Sequence, residues 1–180
     1  MSAPSTTAPI LPGAVRQNGY VVRDLERAIA SWVAIGVGPW FTMRDITQPN
    51  SRYRGGPSSP TLSIGFANSG PLQLELIQPM DSGPSIYREF LDAGREGFHH
   101  LAWWAEDFAG VEAKAEAAGW TSVQSGDGNG AAHFQYYELD GATSTVIELM
   151  ELNDMTRWLA TTVADGAEDW DGTDPVRSLF

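Results

Sequence analysis

Gly97-Phe98-His99-His100-Leu101-Ala102-Trp103-Trp104-Ala105-Glu106-Asp107-Phe108, followed later by Thr145-Val146-Ile147-Glu148-Leu149-Met150, decides the fold, because an earlier part of the chain carries the same pattern. The earlier copy opens with Val15-Arg16-Gln17-Asn18-Gly19-Tyr20-Val21-Val22-Arg23-Asp24-Leu25 and closes with Leu72-Gln73-Leu74-Glu75-Leu76-Ile77. In each copy an alternating strand runs into an Asp that can cap a helix, and strands follow. Gln17 falls where His100 falls, and Glu75 where Glu148 falls. A duplicated module folded about a pseudo-twofold axis brings these four side chains into one pocket. The predicted class is therefore α+β, with two βαβββ modules forming a curved mixed sheet around a shared pocket.

Outward from these strands, Leu25, Ile29, Trp32 and Val33 recur at helical spacing, so an amphipathic helix is predicted over residues 25–35, stopped by Gly36-Val37-Gly38-Pro39. Residues 40–46, 61–68 and 72–78 read as strands, and 47–60, with its prolines and glycines, as a loop positioned to lie over a pocket. A short helix or turn fits 85–93. In the second copy a helix capped by Asp107 ends at Gly119, a glycine-rich loop covers 125–130, and strands fit 132–138 and 144–151 around a Leu139-Asp140-Gly141 turn. The domain plan is a flexible arm over 1–13, a first module over 14–80, a connector over 81–96, a second module over 97–152 and an acidic tail over 153–180.

Composition narrows the function. The 180 residues suffice for one domain or two fused modules, and 42% are apolar, enough for a globular core. No apolar run is long enough to span a membrane, and the first 13 residues lack the basic start and apolar stretch of an export signal. The chain contains no cysteine, which excludes disulfides, thiolate zinc sites and cysteine nucleophiles and favours the cytoplasm. A net charge of −12 argues against nucleic acid. Much of that charge lies in the tail, which reads either as a solvated segment or, through Trp158 and Trp170, as one that clamps onto the body or a second subunit.

Alternation places Glu75 beside Gln73 and Ile77, His100 beside Ala102 and Trp104, and Glu148 beside Val146 and Met150, while Leu101 and Trp103 point the other way, as does His99. A carboxylate on such a face is costly unless it is paired or bound to a cation. Two carboxylates, an imidazole and the Gln17 amide form a mostly hard ligand set that suits Mn, Co, Ni, Fe or Zn with open positions. Each residue also has a plainer reading: His100 as a core histidine, Glu75 on an edge strand, Gln17 as a substrate contact. Duplication of the four positions favours a metal site.

These motifs resemble the vicinal oxygen chelate superfamily, which includes glyoxalase I, methylmalonyl-CoA epimerase and the extradiol dioxygenases. Residues 97–103 are similar to the epimerase stretch G-L-H-H-(I/M)-A-(F/W), and Val146-Ile147-Glu148-Leu149 to its closing V-L-I-E-L. Leu74-Glu75-Leu76-Ile77-Gln78-Pro79 resembles the third ligand strand, and the likeness runs over roughly residues 15–152. It implies Gln17, Glu75, His100 and Glu148 as ligands of a divalent metal. Epimerases usually carry His at the position of Gln17, whereas some glyoxalase I enzymes have Gln there and Glu at the position of Glu75. A dioxygenase needs two His and one Glu, and the matching strand starts supply one His.

The resemblance further implies an isomerase or lyase that takes a proton from the carbon next to a carbonyl of a small, partly apolar compound or an acyl-CoA. Glu148 or Glu75 is then the base, and Met43-Arg44-Asp45 lies where the epimerases' second carboxylate is expected, with Asp45 as a surface turn residue the other reading. Trp104, Trp40, Met150 and Gln73 are the candidate substrate-lining residues, with core packing the other reading for the tryptophans and the methionine. A homodimer is expected. The alternative within the same fold is a metal-free protein of the bleomycin-resistance kind that sequesters an apolar compound.

Overall fold

Asp24, Ser85, Asp107 and Asn153 each stand immediately before a helix, and each side chain accepts a hydrogen bond from a first-turn backbone N–H. Such caps satisfy amides that have no partner inside the helix. They start α1 (Leu25–Val33), α2 (Ile86–Asp92), α3 (Phe108–Ala117) and α4 (Asp154–Ala167) in the computed structural model, which describes residues 9–139 and 145–180. The strands are β1 (Gln17–Val21), β2 (Trp40–Thr47), β3 (Ser51–Tyr53), β4 (Gly56–Ser58), β5 (Thr61–Ser69) and β6 (Leu72–Pro79) before α2. After it come β7 (Gly97–Ala105), β8 (Ser122–Gly126), β9 (Phe134–Glu138), β10 (Val146–Glu151) and β11 (Val176–Ser178).

Among the described residues, 11 strands form one curved, open sheet in the order β11-β2-β5-β6-β1-β7-β10-β9-β8-β3-β4. β1–β6, β7–β10 and β2–β11 are parallel pairs, and the others are antiparallel. The predicted α+β class and curved mixed sheet are therefore what the chain adopts. The join at the centre is antiparallel pairing of β1 with β7, the opening strands of the two sequence copies.

Period-two alternation assigns the faces. Leu74 and Leu76 point toward α1 and pack with Leu25, Ile29 and Trp40; Leu149 points toward α3 and packs with Val111 and Ala115. Burying each such side chain stabilises the fold by roughly 1.5–3 kcal/mol. The opposite face carries Ile64, Phe66, Ile77, Phe134 and Tyr136, covered by α2 through Tyr87 and Phe90 and by α4 through Val163.

Several sequence expectations need correction. Residues 47–60 are not simply a loop: they hold the β3–β4 hairpin, whose β3 pairs with β8 at the far edge of the sheet. β8 itself was not delimited by the sequence, since its polar residues hide the alternation. The first helix ends at Val33 rather than at Ile35. The acidic tail is ordered, because α4 turns Val163 into the core, β11 pairs with β2, and the Trp170 ring packs on Gly38, where a Cβ would meet it at 2.7 Å. Of the N-terminal arm, residues 1–8 lie outside the described residues, but Ile10 packs against the cluster of Ala105, Val111, Ala115, Tyr137 and Leu149, and the Gly13 carbonyl accepts from Trp103 Nε1 at 3.3 Å. The Leu139-Asp140-Gly141 turn and Ser144 also fall largely outside the described residues.

Candidate metal centre

Four adjacent strands set the site out in two rows. Gln73, Gln17, Ala102 and Glu148 are cross-strand partners in one row; Glu75, Gly19, His100 and Val146 are partners in the next. The rows are two residues apart on every strand, so all eight positions share one face. Gly19 sits between Glu75 and His100, and a Cβ there would lie 1.8 Å from His100 Cε1. Glycine is thus what lets the imidazole lie across β1.

Glu75, His100 and Glu148 are buried, and their ligand atoms fall within 4.8 Å of one another. His100 Nε2 is 3.4 Å from Glu75 Oε2 and 3.2 Å from Glu148 Oε2, within ion-pair range but without the alignment of a hydrogen bond. Gln17 donates through Nε2 to Gln73 Oε1 at 2.8 Å, which leaves Gln17 Oε1 free. Gln17 Oε1, Glu75 Oε2, His100 Nε2 and Glu148 Oε2 are all buried and make no hydrogen bond among the described residues. Buried polar atoms are nearly always satisfied, so four such orphans on one face fit a cation-binding role. A set of two carboxylates, an imidazole and an amide oxygen suits a divalent ion and balances its charge.

His99 was expected on the opposite face, and it is not there. Gly19 pairs with His100 and Tyr20 with Phe98, so His99 is the extra residue of a β-bulge. The bulge turns its ring toward the site: His99 Nδ1 is 3.0 Å from His100 Nδ1, and Phe90 packs edge-on against it with centroids 5.0 Å apart. Burial, with some help from the nearby His100 charge, pushes the His99 imidazole down to about 2, so it is neutral at neutral pH. It can therefore accept from His100 Nδ1–H and leave Nε2 facing the carboxylates, the usual way a ligating histidine is oriented.

Burial alone lowers the His100 imidazole, but the Glu148 and Glu75 carboxylates outweigh it and hold the group up at about 9. Burial also raises Glu75, a shift opposed by His100 and reinforced by Glu148. A cation must then displace the His100 proton, which sets a pH dependence for binding. For a divalent ion held by these residues, the apparent affinity is expected to rise about tenfold per pH unit as pH increases toward about 9, then level. Competition against a chromophoric chelator across pH checks this, and a flat profile through the neutral range overturns it.

Glu75 and Glu148 form the polar end of a cavity of about 290 Å³. Met150 is among its lining residues, as are Tyr87 and Tyr136, which were missed by sequence reading. Tyr136 is the cross-strand partner of Glu148, so its position on β9 was the available signal. Tyr87 Oη donates to Tyr136 Oη at 3.1 Å. Burial and the Glu148 carboxylate push both phenols well above their ordinary value, so they remain hydrogen-bond donors.

Three candidates lie elsewhere. Trp40 is buried against α1 on the other side of the sheet. Trp104 shares the His100 face but is four residues along β7, roughly 13 Å away, where Arg16 stacks on it at 4.8 Å. Asp45 is exposed at a bulge in β2 with φ 49°, and its backbone N–H donates to Ser63 Oγ at 3.2 Å. His133 is on the surface, paired with Glu151 at 2.9 Å, so it brings no second histidine to the cluster.

A family model described as the glyoxalase/bleomycin resistance protein/dioxygenase superfamily matches residues 16–137. The chain belongs to this superfamily. Solved structures agree on the vicinal oxygen chelate fold. A hypothetical protein from Bacillus halodurans is 15% identical, with 78% of this chain and 95% of that chain covered and a TM-score of 0.59. Methylmalonyl-CoA epimerase from Mycobacterium tuberculosis is 20% identical, with 88% and 97% covered and a TM-score of 0.57. Streptomyces coelicolor methylmalonyl-CoA epimerase in complex with 2-nitronate-propionyl-CoA is 16% identical, with 78% and 95% covered and a TM-score of 0.56. No curated protein sequence matches the chain. Within the superfamily fold, the described residues contain no helix long and apolar enough to cross a membrane.

Proposed function

We propose that the protein is a divalent-metal-dependent isomerase or lyase that removes a proton from the carbon next to a carbonyl in a small, partly apolar substrate. The observation that carries this reading is the set of four buried atoms without a hydrogen bond on Gln17, Glu75, His100 and Glu148, with both carboxylates opening onto a largely apolar cavity. When bound, a divalent cation supplies Lewis acidity that lowers the cost of negative charge developing on a carbonyl oxygen. Glu148 or Glu75 takes the proton. Burial raises Glu75, which brings a carboxyl group closer to the operating pH and makes it a better general base. Tyr136, kept protonated and accepting from Tyr87, has its own O–H to donate toward the same end of the cavity. The apolar walls keep bulk water from competing for the proton.

The fold is shared with proteins named as methylmalonyl-CoA epimerases, which supports proton transfer beside a carbonyl. The dioxygenase reading is weaker, because the cluster contains one histidine and His99 is bonded to it through Nδ1.

The test uses protein purified without a histidine tag. A stoichiometric divalent ion is expected by elemental analysis, together with deuterium uptake at the carbon next to the carbonyl of hydroxyacetone in heavy water. Uptake should stop after chelation and return with the ion. Metal-free protein that causes no exchange under any added divalent ion leaves the binding-only reading in its place.

A further inference from the structure

The walls of the cavity divide by origin. One side is the sheet face, with Ile64, Phe66, Phe134 and Met150. The other is built by the C-terminal segment: Met155, Trp158 and Leu159 from α4, and Leu179 and Phe180 beyond β11. This second wall lies outside residues 16–137, the part that matches the superfamily. Trp158 and Phe180 stack with centroids 6.3 Å apart and remain 45% and 83% exposed, so they form an apolar rim rather than a closed core.

Among the described residues, no lysine or arginine lines the cavity. The cations of the C-terminal segment are engaged elsewhere, Arg157 with Glu106 and Arg177 over the Phe41 ring at 5.7 Å. The start of α4 offers no anion site either, because the backbone N–H groups of Met155 and Thr156 already donate to Asn153 Oδ1. A phosphate-bearing ligand is held best by charged donors, and the described residues lining this cavity supply no cation, only the side-chain amides of Gln48 and Asn129. Its volume, about 290 Å³, equals the share of roughly ten water molecules in the liquid and sits at the small end of ligand pockets.

We propose that the C-terminal segment selects an uncharged, compact carbonyl compound bearing an aromatic or branched apolar group, and selects against a nucleotide-bearing thioester. The apolar group lies against Trp158, Leu159 and Leu179, with the oxygen-bearing end at Glu75 and Glu148. The carbonyl half of this assignment rests on the function proposed above; the apolar half rests on the cavity alone.

Three probes separate the possibilities by calorimetric titration of the full chain, as purified and after chelation. They are α-hydroxyacetophenone, hydroxyacetone (the same polar group without the ring) and propionyl-CoA. The expected ranking places α-hydroxyacetophenone at least about tenfold tighter than hydroxyacetone, with propionyl-CoA weakest. Trp158→Ala should shrink the ring's advantage severalfold. Phe180→Ser, at a more exposed rim position, provides a second variant should the first fail to fold. Equal binding of the two ketones, or preference for propionyl-CoA, overturns the proposal. Metal content is read in the same samples. If it is nil but the ring preference persists, the metal-dependent function fails while the wall's selectivity stands; if metal is present but the preference is absent, the reverse holds.

Discussion

Gly19→Ala is expected to abolish divalent-metal binding although residue 19 is not itself a proposed ligand. The added methyl would stand 1.8 Å from Cε1, 2.2 Å from Nε2 and 2.3 Å from Nδ1 of His100. The ring has nowhere to go: it is fully buried, edge-on to Tyr136 at 5.1 Å and bonded to His99. Either the imidazole leaves the cluster or β1 moves off β7, and both dismantle the site. Loss of an outer-shell partner typically weakens metal binding by 10–100-fold, so displacing a ligand should exceed about 100-fold. Overpacking of this kind costs about 1–3 kcal/mol, or several degrees in melting temperature for a chain of this size. Gly65→Ala is the control, since a Cβ there meets its nearest neighbour, Trp40, at an ordinary 3.4 Å. It should keep its metal. Wild-type metal affinity in Gly19→Ala would sink the assignment of His100 as a ligand.

Glu148→Gln should separate metal binding from folding in the opposite way. The substitution keeps the shape of the side chain and removes one of two carboxylates that face each other across His100 Nε2, at 3.2 and 3.4 Å. Metal-free protein should melt within a few degrees of wild type, because relief of carboxylate repulsion offsets the weakened contact with His100. The response to metal should vanish. A ligand at one hundred times its dissociation constant stabilises the wild type by about 2.7 kcal/mol, which is about 5–10 °C here. The variant should show no upshift at the same concentration, and its exchange activity should fall by about 10²–10⁴-fold if Glu148 is the base. Differential scanning fluorimetry with and without metal decides it. An unchanged upshift would remove Glu148 from the ligand set, and lost metal binding with retained exchange would remove the metal from the chemistry.

The central strands were legible because apolar alternation runs through most of their length and their helices begin at strong caps, Asp24 and Asp107. The same alternation, applied to residues 40–43, already separates Trp40 from Phe41 and Met43, which lie on the cavity side. Trp104 shows the limit of face assignment, since residues on one face of a strand drift apart by about 3.3 Å per position. His99 escaped because alternation presumes a regular pleat, and a bulge is a tertiary choice made by pairing with β1. The C-terminal segment looked solvated because its acids dominate the composition. Its packing rests on a few residues, Val163, Leu159 and Leu179, too sparse to mark a face.

The hairpin that reaches from β3 to β8 clasps the two halves of the chain at the sheet's outer margin, in addition to the β1–β7 seam at its middle. Fastened at both places, the halves resist swinging apart like a clamshell. A ligand therefore meets the cavity on the helical side, where α4 and the final residues rest on the sheet and Trp158 and Phe180 stand exposed at its mouth.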